Sequence, residues 1–209
     1  MGKAILRALV SHFRDNLILY FLVNIFLVLG ILLGATSVKS LDPEQTVSLG
    51  DYLNNFVTAF PNLKIRPEVL TTASFASNVK LLLLIWFLGL TVLGVPIIFL
   101  AIAIKGFYLG FTAGFIIQER GLQGILFTAI ALLPQNILNI PALVIAGVVA
   151  ASFSIWLLRG RIKNPNNKLS QLFISYTLVF CILGVVTICG SFLEGYVTPW
   201  LIQAALAYF

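Results

Sequence analysis

The sequence predicts an all-α, polytopic membrane protein: one domain over residues 1–209, with about five transmembrane spans and one amphipathic helix outside them. Three observations point there. Hydrophobic residues fill 60 % of the 209 positions and mean hydropathy is +1.05, against ~45–50 % apolar residues in soluble domains. Charged residues make up only 10 %, where an ordinary globular protein uses about 25 %. The apolar residues also gather into runs of roughly 20, the length that crosses a bilayer. Too few charges remain to coat a water-facing surface, so lipid is the expected neighbour.

The placement of the charges gives the orientation. Net charge is +6, but the bases sit at the ends of apolar runs and form no face that would suit a nucleic acid. Lys3, Arg7 and Arg14 precede the first run, and Arg159, Arg161, Lys163 and Lys168 share one short stretch. Such clusters mark cytoplasmic segments, which puts the N-terminus and a basic loop at 159–170 inside and the C-terminus outside.

The first span is expected over Leu17–Thr36, uncleaved, because its run exceeds the 7–15 residues of a signal-peptide core. Residues 37–78 form the one sizeable aqueous segment, near neutral and extracytoplasmic. Within it Leu49, Tyr52, Leu53, Phe56, Val57 and Phe60 recur at helical spacing, with Ser48 as N-cap and Pro61 as stop. This face either docks an extracytoplasmic partner or rests on the bundle or the membrane surface.

A turn at Gly94-Val95-Pro96 divides the next apolar stretch into a short span ending near Leu93 and a second over Ile97–Gln118. Lys105 then lies inside a span and must snorkel or pair. Glu119 and Arg120 close that span as a boundary pair. The run from Leu122 to Leu158 would be about 55 Å as one straight helix, well over the ~30 Å hydrocarbon core. Pro134, Gln135, Asn136, Asn139 and Pro141 interrupt it, and a helix break is expected there. The last span covers Gln171–Gly190. Glu194 and an apolar tail with Trp200, Tyr208 and Phe209 follow as an interfacial segment, or as a sixth crossing.

Gly106, Gly110 and Gly114 share one helical stripe, the spacing that lets backbones approach closely in lipid. The stripe packs within the chain or forms a homodimer. The Pro134–Pro141 element is either structural or a solute site of the broken-helix kind found in transporters. No nucleophile–base pair, paired carboxylate or phosphate-binding glycine loop is present, and His12 is the only histidine. No catalytic residue, metal site or cofactor is therefore expected. Cys181 and Cys189, about 12 Å apart along a helix, are too distant to bridge.

Three segments carry a resemblance. Lys105-Gly-Phe-Tyr-Leu-Gly-Phe-Thr-Ala-Gly114, Glu119-Arg-Gly-Leu-Gln-Gly124 and Leu133-Pro-Gln-Asn-Ile-Leu-Asn-Ile-Pro141, in this order after a basic N-terminus and a first span, resemble the stage II sporulation protein M family. The resemblance implies a non-enzymatic membrane scaffold for forespore engulfment, in the septal or engulfing membrane of the mother cell. It implies membrane lipids and stage II sporulation proteins P and D, which degrade peptidoglycan, as partners. Broader relatives often carry Pro-His-Gly…Glu…Pro-Ala where this chain has Pro134-Gln135-Asn136…Asn139…Pro141-Ala142. With Gln135 and Asn139 in place of ionisable residues, proton- or metal-linked chemistry does not carry over. A small-solute transporter or channel built on Pro134–Pro141 is the alternative function.

Overall fold

The computed structural model describes residues 14–60, 66–163 and 169–206. These are almost wholly helical, in an order set by a few local signals. Helix α1 is Leu17–Ser37, followed by one 3₁₀ turn, Val38–Ser40. Helix α2, Pro43–Ala59, begins earlier than a Ser48 cap would have it. Pro43 occupies the first turn, where its missing N–H costs nothing. The backbone N–H of the N-cap, Asp42, donates to Gln45 Oε1 at 3.3 Å.

Helix α3 is Pro67–Gly89. It starts well ahead of the apolar run at Val79 because Thr71, Ser74 and Asn78 in its first half turn toward the bundle. A tight turn follows, in which Gly94 N donates to Thr91 O at 3.3 Å. The next helical stretch begins at Gly94 with Pro96 in its first turn, where the sequence placed the turn.

That stretch, Gly94–Lys163, is two helices joined at Gly121, with φ 58° and ψ −131°. Only glycine adopts this conformation readily. The chain folds back on itself there: a Cβ on Gly124 would overlap the Ile116 carbonyl. We call residues 94–120 α4 and residues 122–163 α5. Here the structure corrects the sequence reading. The backbone stays helical through Pro134 and Pro141, and the interruption lies at Gly121. Each proline removes one hydrogen bond, but no water competes for the freed carbonyls in a packed apolar bundle, so helix remains the cheapest backbone.

Helix α6, Leu169–Phe192, passes through a π-helical turn, Leu193–Val197, into α7, Thr198–Leu206. The expected interfacial tail, as far as it is described, therefore extends the last long helix. Arg159, Arg161 and Lys163 continue the α5 backbone, while Lys3, Arg7, His12, Lys168, Tyr208 and Phe209 lie outside the described residues.

Four helical stretches are long and apolar enough to cross a membrane, Leu17–Ser40, Pro67–Gly89, Gly94–Leu158 and Leu169–Ala204, and Gly121 divides the third. The protein is thus an all-α polytopic membrane bundle. Helices α1 and α4 run parallel and almost backbone to backbone. A Cβ on Gly106 would meet the Leu27 carbonyl, one on Gly110 the Ile31 carbonyl, and one on Gly114 would stand 2.9 Å from the Ala35 Cα. Gly30 and Gly34 answer from α1, against Ala103, Phe107 and Phe111. The glycine stripe therefore packs inside one chain. Around it Val23, Ile85, Ile98, Ile102, Ala146 and Val148 are fully buried. Toward the Gly89 end, the Tyr176 hydroxyl donates to the Trp86 carbonyl at 2.7 Å and ties α6 to α3.

Candidate functional site

Two places in the bundle gather the residues singled out by sequence. The first is the cap formed by α2 over the Gly121 end. Leu49, Leu53 and Val57 turn toward the bundle and are half-buried. Phe60 is 5 % exposed, in a small core with Leu53, Ile116, Phe127 and Ile202. Its ring lies 5.1 Å from that of Phe56. Tyr52, at 74 % exposure, points away, and Phe56 is at the border with 37 %. The candidate partner face therefore divides: four of its six residues serve packing, and Tyr52 with Phe56 stay outside.

Glu119 and Arg120 fasten this cap. The Glu119 carboxylate packs over Gly50, and Arg120 Nη2 donates to Asn54 Oδ1 at 2.7 Å. Elsewhere α2 stands off. An open cleft of about 560 Å³ separates it from α4, lined by Leu41, Glu44, Gln45, Ser48, Leu49 and Phe111.

The second place is a polar network where α3, α4, α5 and α6 converge. From Gly94 to Lys105 is roughly 16 Å of helix, about half the hydrocarbon thickness. A charge at that depth needs partners. Lys105 Nζ donates to Asn78 Oδ1 at 3.4 Å, and Asn78 Nδ2 donates to Ser74 Oγ at 3.3 Å. Ser74 Oγ in turn donates to the Glu194 carboxylate. Gln135 reaches the same carboxylate, and with its amide oriented by that contact, nitrogen toward Glu194, it donates to Oε1 at 2.9 Å. Glu194 is also the charge that acts on Lys105 from across the chain of donors. The π-helical turn carries Glu194 inward to this point, a distortion often found where a side chain has a special task.

Beside the network lies a void of about 20 Å³ bordered by Asn78, Lys105, Asn136, Asn139 and Thr187. It has room for about one water molecule. Asn139 is 7 % exposed and its Oδ1 has no partner. Asn136 Nδ2 donates to the Leu132 carbonyl at 2.7 Å, a bond within its own helix. Of the Pro134–Pro141 residues, Gln135 alone meets the charged pair, and Asn136 and Asn139 border the void. Sequence reading marked Lys105 as needing a partner but missed Ser74, Asn78 and Glu194. Ser74 and Asn78 sit one turn apart on one helix face, which was the available signal.

The comparison with known families bears on the whole arrangement. A sequence model of the family described as Stage II sporulation protein M matches residues 23–199, from within α1 to the start of α7. The chain belongs to the stage II sporulation protein M family. The stage II sporulation protein M match takes in both the network and the α2 cap, and it makes this a sporulation-related membrane protein. The stage II sporulation protein M family is not a known enzyme family. No curated protein and no solved structure matches the chain.

Proposed function

We propose that the protein is a non-enzymatic scaffold of forespore engulfment, anchoring extracytoplasmic peptidoglycan-degrading proteins at the septal membrane. Stage II sporulation proteins P and D are the partners that the family resemblance suggests. One observation carries the reading: α2 is moored to the bundle by a few side chains while Tyr52 and the neighbouring Val47, 63 % exposed, face outward. A helix that served only to seal the bundle would turn its large apolar residues in. The basic residues at the opposite end of the helices support placing α2 outside the cytoplasm.

The transport alternative has less behind it. Its premise was a broken helix at Pro134–Pro141, and the backbone there is continuous. The void beside Asn139 has room for about one water and no larger solute.

The test is site-specific photo-crosslinking in sporulating cells from Tyr52 and Phe56, with Leu53 as the inward control. Adducts to a peptidoglycan-degrading protein from Tyr52, and not from Leu53, are the expected result. Adducts from Tyr52 only to lipid or to this chain would overturn the docking role.

A further inference from the structure

Helix α3 carries a charge on its outer face that no described residue answers. Lys80 is exposed, and no described residue makes a hydrogen bond or ion pair with it. From Thr91, in the turn at the helix end, to Lys80 is roughly 16 Å, which puts it at the same depth as Lys105. Its side chain leans toward the Pro67 end, the direction in which a lysine of this helix would snorkel. Thr72, Ala73, Ala76, Ser77, Leu83 and Phe87 share the exposed stripe, most of them small. Facing lipid, such a lysine is costly unless a counter-charge comes from elsewhere.

Next to Lys80 the surface is hollow. An open groove of about 440 Å³ runs between α3 and α6, with Phe75, Leu83, Trp86, Phe180, Cys181 and Gly184 among its walls. Nothing lies within 4 Å of where a Gly184 Cβ would be. The groove is concave, apolar and at membrane depth, and Lys80, outside its lining but one turn from Leu83 on its wall, has no partner among the described residues. We propose that it receives a membrane-spanning helix of another protein, one that carries a carboxylate at mid-depth opposite Lys80.

Charge decides among the occupants. A lipid tail fills apolar space but brings no anion to the middle of the bilayer. A second copy of this chain would share the same orientation and could offer only what lies at that depth. The seven acidic residues are Asp15, Asp42, Glu44, Asp51, Glu68, Glu119 and Glu194. The first six lie at helix ends or in and beside α2, and Glu194 is held by Ser74 and Gln135. At the depth of Lys80 a second copy would present more lysine. The inference goes beyond the scaffold reading, since it concerns a contact inside the membrane and not one at α2.

The test uses the full chain with Cys189→Ala, which leaves Cys181 in the groove as the sole thiol, in phosphatidylcholine–phosphatidylglycerol vesicles. The probes are synthetic leucine–alanine helices of about 22 residues, enough to span, with one cysteine and a central Glu, Gln or Leu one turn away. With copper phenanthroline and air as oxidant, disulfide formation with Cys181 should be roughly three- to thirtyfold greater for the Glu probe, the range expected of a polar contact between helices in a bilayer. Lys80→Leu should remove that preference, and Gly184→Leu, which fills the groove, should suppress all adducts. Lys80→Glu should move the preference to a probe with a central Lys, a result that no loss of folding could produce. Equal adducts for Glu and Leu probes would mean a lipid-filled groove and overturn the proposal. Cys181–Cys181 dimers in excess of probe adducts would point to a second copy, and no adduct with any probe would also overturn it. Variants at Tyr52 leave these outcomes unchanged, so failure here is distinct from failure of the scaffold reading.

Discussion

Glu194 accepts hydrogen bonds from Ser74 and Gln135 and supplies the nearest countercharge to Lys105. Glu194→Ala would leave the buried Ser74 and the half-buried Gln135 without their acceptor and a lysine without its anion. Each unsatisfied buried group costs about 1–3 kcal/mol, so a clear fall in thermal midpoint in detergent is expected. Glu194→Gln, which keeps an acceptor oxygen, should lose less. Gly121 is the other residue on which much depends. Its backbone angles lie in a region closed to residues with a Cβ, so Gly121→Ala should cost about 1–3 kcal/mol even though nothing crowds the site. Calorimetry of the three variants checks both expectations. Sequence reading had Lys105 as a charge in want of a partner, but Glu194, far along the chain, was read as part of an outer tail. Local spacing cannot reveal a contact made only when α3, α5 and α6 converge. Gly121 was equally hidden, since glycines are frequent in membrane helices and none shows its φ in advance.

At the scale of the helix, the spacing of Gly106, Gly110 and Gly114 was fully legible, and so was the turn before Pro96. What the spacing left open was the surface the stripe meets, because Gly30 and Gly34 answer it from a helix that α2 and α3 separate from it in the chain. The pair predicts sharp position dependence. Gly110→Val would drive a side chain into the Ile31 backbone, at a cost of several kcal/mol if the helices cannot part, since overpacking alone costs about 1–3. Gly184→Ala, with open space before it, should leave the melting temperature unchanged. The Pro134–Pro141 stretch misled for a physical reason. In water a proline ends a helix because the freed carbonyl finds a better partner outside, and within a membrane bundle there is none. The amphipathic pattern of α2 was legible as a helix, but the division of its face into packed and outward residues was not. Periodicity shows that one side is apolar, not how much of it the bundle covers.

Over the whole molecule, stability is unevenly distributed. The α1–α4 pair and the core around Ile85, Ile98 and Val148 are tightly closed, whereas α2 bridges an open cleft. Hydrogen exchange should therefore be faster in α2 than in α1, α4 or α5, following the lower local density of contacts. Arg120→Ala, which removes the donor to Asn54, should raise exchange in α2 further while leaving the bundle helices as they were. Equal protection of α2 and α4 in the parent chain would show that the cap is as firmly packed as the core.

The partnership of α1 with α4 also bears on biosynthesis. Helix α1 leaves the ribosome long before the glycines it will grip have been made, and α2 and α3 are translated in between. For that interval it must remain in the bilayer alone. It is fitted for this: of the four candidate spans it is the most apolar, and its buried positions include two glycines that expose no polar side chain to lipid while they wait. Helices α4 and α5, joined with no loop at Gly121, carry only Gln118, Glu119, Arg120 and Gln123 as polar side chains near their bend. Such a pair can enter as one hairpin and close on α1 in a single late step. Assembly would then be decided in the second half of translation, and a ribosome stalled before α4 would leave α1 inserted but unpaired.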